Sequence, residues 1–183
     1  MVFFASVLGF PLPVTAVQLL WINLVTDGLP AVAVSVDPPS REVMQRPPRD
    51  PLEPLLPGKT IAELVAMGFA IGLGSLAIFA LSVPKGLVVA QTMAFTGIVL
   101  GEFVQLFMIR KQYATGVFEN FWLLLSVGAA IILQLLLLYT PIAQYFHVVP
   151  LGQNDWLILG ALLAALVILG SVFRHFFRAT KDI

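Results

Sequence analysis

The sequence predicts an all-α fold, a polytopic bundle of helices that cross a membrane, and three observations predict it. Hydrophobic residues fill 59% of the 183 positions, where soluble domains sit near roughly 45–50%. Charged residues fill only 11%, against about 25% in ordinary globular chains, so there is too little polar surface to face water all round. Five separate stretches reach the length of about 20 mainly apolar residues that a spanning helix needs. A mean hydropathy of +0.96 agrees with all three.

Residues 1–10 are apolar but too short to cross, and they read as the tail of a helix that Pro11 and Pro13 terminate. No basic start and no cleavage site of the secretory kind is visible there, so Met1 is expected to lie inside a longer hydrophobic protein. The spans are expected at residues 14–36, 61–83, 86–109, 118–140 and 156–177. The first carries one charge, Asp27, and the third one, Glu102, while Glu63, Glu119 and Arg174 sit near span ends. Between the first two spans, residues 37–60 form a connection rich in proline from Pro38 to Pro57, a semi-rigid extended segment rather than a domain. The whole chain, residues 1–183, therefore reads as one membrane domain.

Basic residues orient the bundle. Arg41, Arg46, Arg49 and Lys59 fall in the first connection, Arg110 and Lys111 in the third, and Arg174, Arg178 and Lys181 in the tail. The remaining two connections hold Lys85 alone. Positive charge stays on the cytoplasmic side, so the chain is expected to be a multi-pass integral membrane protein with a cytoplasmic C-terminus, the plasma membrane being the favoured location. Trp122, Trp156, Phe173, Phe176 and Phe177 lie near the predicted boundaries, where aromatic side chains anchor helices in the interface.

Several function classes drop out. Without cysteine there are no disulfides, thiolate metal sites or cysteine nucleophiles. A net charge of zero gives no basic patch, and no nucleic-acid partner is expected. Glycine-rich phosphate loops, catalytic triads and paired zinc ligands are missing as well. His147 and His175 have no metal-ligand company and read as interfacial residues, and Gln18, Gln91 and Gln134 read as hydrogen-bonders between helices. Gly68 and Gly72 have the spacing of a close-packing face.

What remains is chemistry inside the hydrocarbon. A carboxylate at mid-bilayer costs on the order of 2.5–3.5 kcal/mol on insertion scales, so Asp27 needs a compensating partner. Asn23 lies one turn earlier on the same helix face and Thr26 borders it, so one stretch offers carboxylate, amide and hydroxyl oxygens. Gly28 and Pro30 follow, and a helix loosened there would free backbone carbonyls, the way transporters present oxygen to cations. Glu102, with Gln105 three residues on, is a second intramembrane acid with no Lys or Arg nearby in sequence. Two such acids in one bundle point to a shared cation or shared protons. Either could be a structural hydrogen-bonder instead, and on these grounds alone a small free-standing carrier or channel, or a non-transporting assembly module, also fits.

The stretch Pro13-Val-Thr-Ala-Val-Gln-Leu-Leu-Trp-Ile-Asn-Leu-Val-Thr-Asp-Gly-Leu-Pro30 closely resembles the sixth transmembrane helix of type II P-type cation-transporting ATPases. Asp37-Pro-Pro39, Met44-Gln-Arg-Pro-Pro-Arg49 and Pro51-Leu-Glu-Pro-Leu55 look like the cytoplasmic connection that follows, and Thr92-Met-Ala-Phe95 leading to Glu102 looks like the eighth helix. The resemblance runs from the end of the fifth helix through the tenth. It implies the membrane part of an ATP-driven pump, calcium-type, with Asn23, Thr26, Asp27 and Glu102 as ligands of the transported cation, Ca²⁺. Many relatives carry Gln where Glu102 stands, which implies an additional or differently charged site here. The phosphorylated-Asp motif and the nucleotide-binding and actuator domains are not among these residues. ATP and Mg²⁺ would act through such domains, this stretch alone is expected to have no ATPase activity, and its expected partners are the lipid bilayer and the pump's N-terminal helices and cytoplasmic domains.

Overall fold

A computed structural model describes residues 1–37, 58–112 and 120–179, without the side chains of 59, 111, 112 and 174–179. Most of the proline-rich connection, Glu119, and the basic residues Arg41, Arg46, Arg49 and Lys181 lie outside the described residues. Among those described, all regular structure is helical, and five helices are long and apolar enough to cross a membrane.

Helix α1 (Val2–Val7) ends before the prolines expected to stop it. Gly9, at φ +72°, takes the left-handed conformation that glycine adopts without a steric penalty. The Phe10 N–H then bonds the Ala5 carbonyl at 2.9 Å and the Gly9 N–H bonds the Ser6 carbonyl at 3.2 Å. That pair of bonds is a Schellman cap, and it aims Phe10 edge-on at Phe79.

The first span is assembled from three pieces: α2 (Ala16–Trp21), a π-helical segment (Ile22–Asp27) and α3 (Gly28–Ser35). Its start is a capping box. The Thr15 hydroxyl accepts from the Gln18 N–H at 3.3 Å, and the Gln18 amide oxygen accepts from the Thr15 N–H at 3.0 Å. The irregularity that sequence puts after Asp27 therefore sits before it, and Gly28 and Pro30 belong to regular α-helix.

The second span is α4 (Gly58–Ser82), which passes through a short 3₁₀ turn (Val83–Lys85) into α5 (Leu87–Gln112). Next come α6 (Phe121–Tyr139), a 3₁₀ stretch (Pro141–Phe146) and α7 (Gln153–Ala179). Helix α5 packs on α4 and α7, α4 also packs on α7, and α3 packs on α6. Of the α5 span, 61% is buried, against 17–33% for the other four, so α5 is the axis of the bundle. The outward faces of the others carry exposed Leu, Ile, Val and Phe suited to lipid.

Lipid tails are as apolar as leucine, so helices here associate through close packing and buried hydrogen bonds. The close approaches are not at Gly68, where an added Cβ would meet nothing, nor at Gly72, where it would make ordinary contact. They lie at Gly74 and Gly101, where a Cβ would come within 2.5 Å of Leu162 and 2.9 Å of Ile71, and at Gly170, where it would run into the end of Met108. The three glutamines do join elements. Gln18 donates to the Phe146 and His147 carbonyls at 3.2 and 3.3 Å, Gln91 to the Leu12 carbonyl at 2.8 Å, and Gln134 accepts from the Trp21 indole at 2.9 Å. Trp156 is more than an interfacial anchor, because its indole donates to the Tyr139 hydroxyl, which donates in turn to the Leu151 carbonyl.

Candidate functional site: two carboxylates at a π-helical segment

The π segment is where the first span meets α5. A π turn closes its hydrogen bonds one residue later than an α turn and occurs mostly at functional sites. Here it holds Asn23, Thr26 and Asp27. Pro30 has no N–H to return to the carbonyl of Thr26 one turn back, so the backbone beside Asp27 is short of a donor as well.

Across the interface stands Glu102. One side of its carboxyl group meets the carboxyl of Asp27, so the two intramembrane acids, 75 residues apart in sequence, are neighbours. One of its oxygens, Oε2, is buried and accepts no hydrogen bond from a donor among the described residues. Two facing carboxyls, one with an orphaned oxygen, suit a shared positive ion or a shared proton.

Thr26 and Asn23 are placed differently. Thr26 is 2% exposed, and its hydroxyl donates to the Ile22 carbonyl at 2.8 Å, which leaves the lone pairs of Oγ1 able to accept or to ligate a cation. Asn23 and Asp27 are exposed, so they share the open side of the segment while Thr26 points inward. The wider π turn separates what α-helical spacing would keep side by side. An exposed Asp in the middle of a span cannot face lipid without the cost given above.

Oxygen is the only donor type at the site, and hard cations take oxygen ligands. A Ca²⁺ ion needs 6–8 of them. Among the described residues no group of three or more His, Cys, Asp or Glu converges, so the arrangement is part of a shell rather than a complete one.

A second polar constellation escaped the sequence reading. Arg110, read there as a loop charge, is 4% exposed near the end of α5, and its guanidinium donates to Asp37 Oδ1 at 3.0 Å. The Asn120 amide donates to the same Asp37 oxygen and, at 2.8 Å, to the Ala33 carbonyl. Its own carbonyl caps α6 by accepting from the Leu123 N–H at 3.0 Å. One sequence signal was available: Asn directly before an apolar run is an N-cap signature.

Comparisons with known proteins place the chain in a family. The family described as "Cation transporting ATPase, C-terminus" matches residues 11–176. A calcium-transporting ATPase of Bacillus subtilis (strain 168) is 38% identical over 162 residues, covering 85% of this chain and 18% of the relative. Calcium-transporting ATPase 1 of Schizosaccharomyces pombe is 29% identical, covering 98% of this chain and 21% of the relative. A calcium-transporting ATPase of Plasmodium falciparum is 27% identical, covering 96% and 18%. The chain thus spans about a fifth of the length of these relatives. It belongs to the family of cation-transporting ATPases, as the C-terminal membrane region of a P-type pump.

Proposed function

We propose that these residues form the ion-handling membrane part of an ATP-driven calcium pump, and that Asn23, Thr26, Asp27 and Glu102 supply side-chain oxygens to the transported Ca²⁺. The observation that carries the reading is the meeting of the Asp27 and Glu102 carboxyls at a π-helical turn, with Glu102 Oε2 buried and orphaned. A divalent ion between them neutralises both charges and gives Oε2 a partner. Thr26 adds a hydroxyl oxygen from the buried side and Asn23 an amide oxygen from the open side.

Helices from the rest of the pump cover the open face of Asn23 and Asp27 and complete the shell. Nucleotide and Mg²⁺ act in cytoplasmic domains outside these residues, so this stretch alone hydrolyses no ATP. The positive-inside pattern of basic residues supports a cytoplasmic C-terminus. The plasma membrane is the proposed location.

The test is ATP-driven ⁴⁵Ca²⁺ uptake by vesicles carrying the intact protein. Asp27→Asn and Glu102→Gln keep shape and remove one charge each. Asp27→Asn is expected to abolish uptake and calcium-dependent phosphorylation, and Glu102→Gln to weaken calcium activation at least tenfold. Unaltered uptake by Asp27→Asn overturns the reading.

A further inference from the structure

We infer that the partly buried Asp37–Arg110–Asn120 clasp is a positioning device that sets how the Asp27 segment stands against Glu102, and so sets cation affinity. The inference deepens the cation-site reading above and rests on it for the affinity claim, though not for the geometric one.

The argument begins with connectivity. Asp37 closes the same span that carries Asp27, ten residues further on, with only α3 between them. Arg110 lies on the same uninterrupted helix as Glu102, eight residues further on, about 12 Å at 1.5 Å per residue. The two carboxylate-bearing elements are therefore joined twice, once at the carboxyls and once at the clasp. Two fastenings a fixed distance apart along a rigid helix determine both axial register and rotation, where a single fastening leaves one of them loose.

The site needs the second fastening because of the π segment. A π turn is an irregular, rarely sustained geometry, and Pro30 removes a rung beside it. The outer end of the span is held by Gln18 and Trp21, through bonds to the 146–147 carbonyls and to Gln134. Among the described residues, the inner end is held by the clasp, which ties residues 33–37 to α5 and to the start of α6. Asn120 reinforces it by bonding both the Ala33 carbonyl and Asp37, which carries α6 into the same fastening.

The chemistry of the clasp fits positioning better than generic adhesion. A guanidinium is a planar fork with directional donors. Directional hydrogen bonds made in a desolvated place hold orientation, which a diffuse apolar contact does not. Arg110 is 4% exposed and Asn120 3%. The exposed pair at the opposite end of the bundle, Lys85 with Asp155 at 2.6 Å, contrasts with it, since the Lys85 side chain is 45% exposed. It serves as the internal control.

The test has two readouts, made on the intact protein in lipid bilayers. Nitroxide labels at Leu24 and Val104 report the distance between the π segment and α5 without touching either carboxylate. The 183 residues contain no native cysteine, and any cysteine elsewhere in the protein is replaced by serine. Asp37→Asn and Arg110→Gln are expected to shift or broaden the distance distribution, Arg110→Lys to do so less, and Lys85→Gln to leave it unchanged. In calcium-activation curves, Arg110→Gln and Asp37→Asn are expected to weaken apparent Ca²⁺ affinity about tenfold, with maximal turnover held within about twofold. If Arg110→Gln does not fold, Asp37→Asn carries the test, because it keeps the side-chain shape while removing the charge that the guanidinium pairs with.

An unchanged distance distribution in Asp37→Asn overturns the inference. So does a fall in maximal turnover at unchanged apparent affinity, which is what a merely structural role gives. A changed distance in a protein that never responds to calcium leaves the geometric claim standing and defeats the cation-site reading instead.

Discussion

The Trp21 indole donates to the Gln134 amide oxygen at 2.9 Å, and Trp21 is the last α-helical residue before the π segment begins. The same ring stacks edge-on against Phe146 at 5.2 Å between centroids. Trp21 thus fixes the start of the π segment to α6 and to the connection after it. Gln134 is 3% exposed, and its Nε2 has no protein partner, so this amide is spent on Trp21.

Gln134→Leu is expected to destabilise the bundle modestly, because it strands the indole N–H. Trp21→Phe alone strands the Gln134 oxygen in the same way, and the double variant strands neither. A double-mutant cycle in mixed micelles is expected to return a coupling of about 0.6–1.7 kcal/mol, the range for hydrogen bonds between membrane helices. Additive single effects would show that the bond contributes nothing.

Gln18 performs two tasks with one amide. Its oxygen closes the capping box on Thr15, and its nitrogen holds the Phe146 and His147 carbonyls. His147 sits at φ +50°, a left-handed backbone that a non-glycine residue keeps only when its surroundings hold it there. Gln18→Leu is expected to cost about 1–2 kcal/mol, the order of a lost cap with its interhelical bonds. It should also speed hydrogen exchange at Val148 far more than at Val149, because the Val149 N–H is held separately by Thr92 Oγ1 at 3.1 Å. Equal acceleration at both amides would mean that Gln18 is not what pins the turn.

Much of this was legible in the sequence, and the parts that were not share a cause. Five apolar runs announce five helices because period and length are local properties. Asp27 and Glu102 announce themselves because an acid in hydrocarbon is costly wherever it packs. The π segment did not, since Gly28 and Pro30 draw attention downstream while the extra residue is accommodated upstream, against α5 and α6. Arg110 was misread for a related reason. A basic residue at a helix end has two fates, solvent or a buried partner, and only the fold brings Asp37 and Asn120 to it. The spacing of Gly68 and Gly72 drew attention in the sequence, whereas Gly101 stands out only once the fold brings Ile71 of α4 over it.

Thr26 separates a ligand from a packing residue. Its hydroxyl bonds its own helix at the Ile22 carbonyl and is fully surrounded by protein. Thr26→Val keeps the volume and loses the oxygen, whereas Thr26→Ser keeps the oxygen and loses a methyl group. If the oxygen serves the cation, Val is expected to weaken calcium activation about tenfold, about 1.4 kcal/mol, and Ser to stay within about twofold. If the residue only fills space, the order reverses, because Ser leaves the small cavity that Val does not. Calcium-activation curves of the two variants, read side by side, decide between them.

Gly101 precedes Glu102 on α5 and packs directly under Ile71 of α4. A Cβ there would fall 2.9 Å from Ile71 Cγ2 and 3.2 Å from Cγ1, too near for either to stay in place. Ile71 is 5% exposed and β-branched, so its χ1 has little freedom to swing away. At Gly74 the clash is with Leu162 Cδ1, the far end of a more pliable side chain. Gly101→Ala is therefore expected to cost about 1–3 kcal/mol, the usual scale for overpacking, and Gly74→Ala to cost less despite its shorter nominal contact. Because α5 must back away from α4 at the residue beside Glu102, Gly101→Ala should also weaken calcium activation while Gly74→Ala does not. Ile71→Ala opens the space, so the pair Gly101→Ala with Ile71→Ala should be more stable than the sum of the two single losses predicts. Thermal unfolding of the four proteins, followed by calcium activation of those that fold, measures both effects, and a Gly101→Ala protein as stable and as calcium-sensitive as the unaltered one would show that α5 can shift there freely.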